Sequence, residues 1–486
     1  MRTRDNGPWT AALLCLAVAG CGAREPALAG HSSEPMGGSG AVPAEAGAHS
    51  AGAPAQAVSE AGSAAISGSA GAAITVAGGA SPVAGQAGAS PMPAAGSSGS
   101  VTPAAGSGGS MAAAGSGGAM SMLPSGSLAR RFADAVLTRW PNPADIAMNN
   151  PAWEYNHGIV LRGIEQVYLR SGDARYLTYI KRFVDAAVRS DGGLDIPAAH
   201  SFDNLQPAIL LPLLFERTDQ AKYKTAAASV RARYDTIPRN AERGFWHKQQ
   251  YPNQMWLDSS YMGMPFLTRY AKVFGGCDAF CYDTVAEQML LLAEHLRDSS
   301  GLLYHAWDAS PRGQKAPWAD PNTGRSPAVW GRGLGWYAMA LVDVLADLPS
   351  THPQRQRMLD VLTALAAGLA TTQDPATGLW FQVVDQSTRS DDWLESSGTG
   401  MFVYALKVGV ERGYIENTYL AVAQKGFEGL MSKVGMDANG LPVIRGAVQG
   451  MGVQNDYAGY IAQMQLSNSP HGLCAILLAS SEMEAR

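Results

Sequence analysis

From Leu128 to Arg486, apolar residues recur mostly at spacings of three and four, and the alternation expected of a half-buried strand is scarce. The pattern predicts twelve helices, at 128–140, 153–171, 174–190, 204–216, 219–236, 255–273, 279–298, 329–347, 353–371, 394–412, 415–434 and 455–484. Ser171-Gly172-Asp173 and Arg217-Thr218-Asp219 read as breaks that end one helix and cap the next. An open helical array would show a fixed repeat length, and none is visible. Twelve helices in hairpin pairs therefore predict one all-α domain, an (α/α)6 toroid of six inner helices ringed by six outer ones.

Residues of functional type gather at the starts of the even-numbered helices. They are Trp153-Glu154-Tyr155, Asp203-Asn204, Trp256-Leu257-Asp258, Trp330-Gly331-Arg332, Glu395-Ser396-Ser397 and Asn455-Asp456. Capping explains an Asp or Ser at such a place, but not a Trp or Arg. In an alternating toroid the even helices point one way, so these starts converge on one mouth. Trp153, Trp256, Trp307, Trp318, Trp330, Trp336 and Trp380 lie on the same segments and could stack on sugar rings, although burial statistics assign about half of them to the core.

Before residue 128 the helical pattern is lost. Arg2 and Arg4 precede an apolar run, Trp9 to Gly20, too short to span a bilayer and typical of an export signal. It ends in Val18-Ala19-Gly20-Cys21, which resembles a lipobox, so 1–21 reads as a lipoprotein signal with Cys21 lipidated. Residues 22–127 are built from Ala, Gly, Ser and Pro and should form a disordered tether, because they bury too little apolar surface to offset ordering entropy. The net charge of −5 gives no reason to expect nucleic acid or an anionic membrane as partner. Cys277 and Cys281 could form a local disulfide, Cys474 sits in an apolar run, and no metal-ligand spacing is evident.

Asp203-Asn204-Leu205-Gln206, Gln254-Met255-Trp256-Leu257-Asp258, Leu303-Tyr304-His305-Ala306-Trp307-Asp308 and Trp330-Gly331-Arg332-Gly333-Leu334-Gly335-Trp336-Tyr337 resemble, in order, motifs of glycoside hydrolase family 105. These are the unsaturated rhamnogalacturonyl hydrolases, related to the family 88 unsaturated glucuronyl hydrolases. Ser396-Ser397-Gly398-Thr399-Gly400-Met401 and Asn455-Asp456-Tyr457 fit as well, and the likeness covers 128–486. The resemblance implies the same toroid, no cofactor, and an oligosaccharide substrate carrying a 4,5-unsaturated uronate at its non-reducing end. It implies that an acid protonates the vinyl ether at C4, that water adds at C5, and that the hemiketal collapses to release the aglycone. Asp258 matches the acid and base, and Asp203 the assisting carboxyl. Arg332 and Lys248 match contacts to the uronate. His305 matches a residue near the ring, and Tyr155, Asn204, Trp256, Trp330, Trp336 and Ser396 match the pocket. From the residues alone, burial beside Trp256 would raise the pKa of Asp258 and the helix start would lower it.

Other readings are an unsaturated glucuronyl hydrolase acting on glycosaminoglycan or ulvan fragments, and a non-catalytic sugar-binding lipoprotein. A toroidal polysaccharide lyase would call for a Tyr or His base, which the Trp-Leu-Asp motif does not supply. The identity of the second sugar and the oligomeric state are not legible. Gly22 after Cys21 gives no inner-membrane retention signal, so the expected location is the outer membrane or cell surface. Cys21→Ser should therefore move the full-length protein from the membrane fraction to the soluble one, and retention on membranes would refute the anchor.

Overall fold

The computed structural model describes residues 122–147 and 153–486. The expectations for the signal, for Cys21 and for the tether up to residue 121 lie outside the described residues. Among those residues there are thirteen α-helices. They are α1 (Leu128–Arg139), α2 (Tyr155–Ser171), α3 (Ala174–Ala187), α4 (Leu210–Thr218), α5 (Ala221–Arg233), α6 (Leu257–Phe274) and α7 (Asp278–Leu296), followed by α8 (Gly331–Asp347), α9 (Arg355–Thr372), α10 (Ser396–Glu411), α11 (Tyr419–Ser432), α12 (Tyr457–Ile461) and α13 (Pro470–Met483).

Helices α2, α4, α6, α8, α10 and α13 pack side by side in that order, and α13 returns onto α2. Outside them lie α1, α3, α5, α7, α9 and α11, each against an inner helix, which is the toroid expected from the helix count. Local chemistry sets the junctions. Gly172 adopts a left-handed conformation after α2, and the Asp173 carboxylate accepts from Arg175 N to cap α3. The second anticipated break differs, because Asp219 is itself left-handed, ends α4, and leaves Gln220 to start α5.

Two of the anticipated helix starts are corrected. Asp203 and Asn204 lie in a 3-10 turn (Phe202–Asn204), and α4 begins only at Leu210 after a second such turn containing Pro207. The helix expected over 455–484 is broken into α12, a short strand and α13. Asn468 takes a left-handed conformation and Pro470 opens α13 at its first position, where its missing N–H costs nothing. The sixth inner helix therefore starts at Pro470, not at Asn455.

Two antiparallel ribbons feed the inner helices. β1 (Gln254–Trp256) pairs with β2 (Ala306–Asp308), with Trp256 opposite Ala306, and runs directly into α6. β3 (Trp380–Phe381) pairs with β4 (Leu394–Glu395), which runs into α10. Cys277 and Cys281 are joined by a disulfide at the start of α7, and burial pushes the Cys474 thiol well up.

Closure of the ring rests on α13, whose residues from His471 to Glu482 are all buried. It seats closely because its neighbours present glycine. A Cβ on Gly163 of α2 would lie 2.8 Å from Leu477 Cβ, and one on Gly400 of α10 would lie 2.8 Å from Ala475 Cβ and 3.0 Å from its carbonyl carbon. Helix propensity alone would make Gly400→Ala stabilising by up to about 1 kcal/mol. Overpacking against α13 should reverse the sign and cost about 1–3 kcal/mol. The midpoint of urea unfolding should fall, and a rise would contradict this account of ring closure.

Candidate active site

At the mouth formed by the inner-helix starts lies a cavity of about 380 Å³, lined by residues that include Tyr155, Asp203, His247, Lys248, Trp256 and Asp258. Tyr251, Met262 and the segment Gly450-Met451-Gly452 complete much of the wall. A larger groove of about 670 Å³ runs over the outer surface beside α7, lined by Arg239, Glu242, Arg243, Phe280, Asp283 and Glu287 among others. Its carboxylates Glu287, Glu242 and Asp283 are paired with Arg239 and Arg243, His295 and His352 near the surface, so the chemistry points to the smaller cavity.

Asp258 is the second residue of α6 and is mostly buried. The ribbon register brings His305 beside it: Leu257 N donates to His305 O at 3.0 Å, and His305 Nε2 lies 3.2 Å from Asp258 Oδ2. Burial pushes this carboxyl up, but the hydrogen bond to His305 and the surrounding positive charge outweigh it and hold the pKa below the usual carboxylate range. His247 is buried and held well below its ordinary pKa, so it carries no charge near neutrality. The opposing pull therefore comes from the hydrogen bond with His305 and from the charge of Arg332. The ambiguity left by the sequence resolves in favour of the anion.

Asp203 is biased the other way. Burial raises its pKa and the negative charge of Asp258 adds to that rise, against the pull of Lys248, whose Nζ lies 2.5 Å from Asp203 Oδ2. Lys248 itself is raised, its burial being outweighed by Asp203. The partners of one ion pair thus respond differently, because the carboxyl is the more deeply buried, 16% against 26% exposed.

Trp256 stacks with two other rings. His247 lies 4.3 Å from it at an interplanar angle of 20°, and Tyr251 lies 4.9 Å away at 17°. Its indole N–H is taken up by Gln254 Oε1 at 3.1 Å, which fixes the ring. Tyr155 opens α2, and its hydroxyl lies 3.1 Å from His471 Nε2 on α13. Burial, with Asp203 and Glu154, pushes the Tyr155 phenol far up, so it stays protonated.

Several residues expected in the pocket lie elsewhere. Trp330 and Trp336 are buried to 1% exposure and pack in the core, Trp336 stacked on Tyr261 at 5.1 Å. Of the seven tryptophans that could have faced sugar, only Trp256 lines the cavity. Asn204 contributes its backbone carbonyl to Trp153 Nε1 at 3.1 Å, and Ser396 is buried at the start of α10. His305 is wholly buried and reaches the cavity only through Asp258.

Arg332 was expected to offer its fork to a carboxylate, and both of its terminal nitrogens instead hold backbone carbonyls. Nη1 and Nη2 donate to Val448 O and Gln449 O, each at 2.5 Å. Glu395, the cap of α10, accepts from Ser397 N at 3.0 Å and from Val448 N at 2.9 Å. A buried guanidinium and a buried carboxylate thus grip one residue, Val448, at the base of the wall that ends in Gly450-Met451-Gly452.

Sequence reasoning missed His247, Tyr251, Met451, His471 and Tyr460. His247 neighbours Lys248, and the Gly450-Met451-Gly452 run is a visible signal for close backbone approach. His471 and Tyr460 carried no signal until the break at Pro470 was recognised.

Comparison with known proteins agrees with this geometry. The family model described as Glycosyl Hydrolase Family 88 matches residues 128–486. A glycoside hydrolase from family 105 of C. acetobutylicum has a solved structure that superposes with a TM-score of 0.68 at 34% identity, covering 74% of this chain and 99% of that one. Protein Atu3128 of Agrobacterium fabrum is 30% identical over 239 residues, 46% of this chain and 97% of its own. The unsaturated rhamnogalacturonyl hydrolase YesR of Bacillus subtilis is 26% identical over 262 residues, 52% of this chain and 70% of its own.

The electrostatics carry a pH signature. A carboxyl whose pKa is lowered on folding stabilises the protein above its unfolded value, and that contribution is lost as pH falls through the folded value. Asp258→Asn should therefore cost more stability at about pH 6 than at about pH 3, on either side of the unfolded value near 3.9. Urea unfolding at the two pH values measures the gap, and a gap that does not shrink in acid would refute the depressed pKa.

Proposed function

This chain belongs to glycosyl hydrolase family 88, with family 105 enzymes among its structural relatives, and from that premise we propose that it removes the 4,5-unsaturated uronic acid from the non-reducing end of lyase-generated, rhamnogalacturonan-type oligosaccharides. The observation that supports this reading most is the pair Asp203 and Asp258 on one cavity wall, with environments that push their pKa values apart. A site that must take up a proton and give it back needs a carboxyl whose charge responds to its neighbours.

Asp258 is anionic in the free site, and the substrate supplies what it lacks as an acid. A uronate carboxylate entering beside Asp203 and Asp258 adds a like charge and favours proton uptake on binding. Asp258 then gives that proton to C4 of the vinyl ether, and positive charge develops at C5 and the ring oxygen. Restored as a carboxylate, Asp258 accepts a proton from the water that attacks C5. The hemiketal opens and the glycosidic bond breaks with release of the aglycone. Asp203, paired with Lys248, orients the sugar, and the Trp256 face receives its C–H side. The reacting bond is not displaced at the anomeric carbon, so the carboxylate-separation rule for glycosidases does not apply.

The Cys277–Cys281 disulfide supports an oxidising compartment, in keeping with an exported enzyme anchored through Cys21.

The full-length protein should bleach the ultraviolet absorbance of an unsaturated rhamnogalacturonan disaccharide, and Asp258→Asn should lower kcat by at least about 10³-fold with unchanged helical circular dichroism. Near-wild-type activity in that variant would sink the assignment. Preference for disaccharides whose second sugar comes from glycosaminoglycan or ulvan would move the substrate class without changing the chemistry.

A further inference from the structure

Residues 447–466 form an arm across the mouth of the ring. Its base is gripped through Val448 and Gln449 by Arg332 and Glu395, as described above. Further along, Gln382 Nε2 donates to Tyr460 O at 3.0 Å and Trp393 Nε1 to Ile461 O at 3.1 Å. Between these anchors α12 drives Tyr460 into the protein, where it is fully buried. Its hydroxyl lies 2.9 Å from His305 Nδ1, and the other ring nitrogen of that histidine is the one facing Asp258.

The direction of the Tyr460 bond follows from the other end of the imidazole. An ionised carboxylate only accepts, so His305 carries a proton on Nε2 and donates it to Asp258 Oδ2. In the neutral ring Nδ1 is then bare, and it accepts the proton of the Tyr460 hydroxyl. The opposite tautomer would turn a lone pair toward a carboxylate.

We propose that Tyr460 is a positioning residue that acts on Asp258 through His305, fixing the histidine tautomer so that one carboxylate oxygen is held and the other is left for the sugar. The proposal rests on the role assigned to Asp258 above. Filling space does not require the hydroxyl, since a phenylalanine would occupy the same volume, and a buried hydroxyl is retained at a cost unless its hydrogen bonds are made. The other charged or titratable groups that line the cavity or act on Asp258 are Arg332, His247, Asp203, Lys248, Glu154, Tyr155 and Tyr251, and the Tyr460 hydroxyl reaches Asp258 through His305.

The test is Tyr460→Phe in the full-length protein. Loss of the hydroxyl frees His305 to populate the other tautomer and weakens support for the Asp258 anion. On an unsaturated disaccharide, kcat should fall by about tenfold or more with little change in KM, as for a misplaced reacting group. The limb of the pH profile that reports Asp258 should move to higher pH. In the His305→Gln background the same substitution should have no further effect. Nitrogen-15 NMR of labelled histidine should show His305 protonated at Nε2 with a bare Nδ1 in the wild type, and a mixture in the variant. Wild-type kinetics in the variant, a lower kcat with an unmoved profile, or an Nδ1-protonated His305 in the wild type would each overturn the proposal. If no unsaturated disaccharide is turned over even by the wild type, the reaction assignment has failed instead, and the tautomer measurement still decides the role of Tyr460.

Discussion

The hydrogen bond between His305 and Asp258 is the contact on which the site depends, and it exists because three separate constraints meet there. The register of β1 and β2 sets Trp256 against Ala306, which places His305 next to the first turn of α6. The direction of α6 puts Asp258 at a helix start, where partial positive charge favours an anion. Closure of the ring by α13 fixes the strand and arm that precede it, and so delivers Tyr460 to the far side of the same histidine. Loss of any one leaves Asp258 as a buried carboxyl with a raised pKa and no fixed direction.

That contact also explains why two aspartates in one cavity differ. Asp258 has a buried histidine and a nearby guanidinium to favour its charge, whereas Asp203 has one lysine set against deeper desolvation and the field of Asp258. Arg332 contributes from a distance. Its two terminal nitrogens hold the carbonyls of Val448 and Gln449, so it works as an anchor for the cavity wall and as a fixed positive charge.

Much of the ring was legible in the chain, because helices that bury one face carry a period of three to four and Gly172 and Asp173 mark their ends chemically. Asp258, Asp203, Lys248, Tyr155 and Trp256 were legible as cavity residues through their motifs. Less legible was anything decided by which side of a helix faces the ring axis. Trp330 and Trp336 share a motif with Arg332 but turn into the core, since Trp336 and Arg332 sit on a helix buried nearly all round and Trp330 caps it. The boundary at Pro470 was missed because the apolar pattern of 470–484 continues that of the preceding residues by eye, and a proline at the first helical turn is compatible with starting a helix as well as breaking one.

The central claim is that Asp258, held in one orientation by His305, protonates C4 from one side before water adds at C5. Running the reaction in D2O and examining the released uronic acid by proton NMR at early times tests it directly. The account predicts a single deuterium at C4, placed on one face only. Deuterium spread equally over both faces of C4 from the first turnovers would mean that no fixed carboxyl delivers it and that an enol is released to tautomerise in solution.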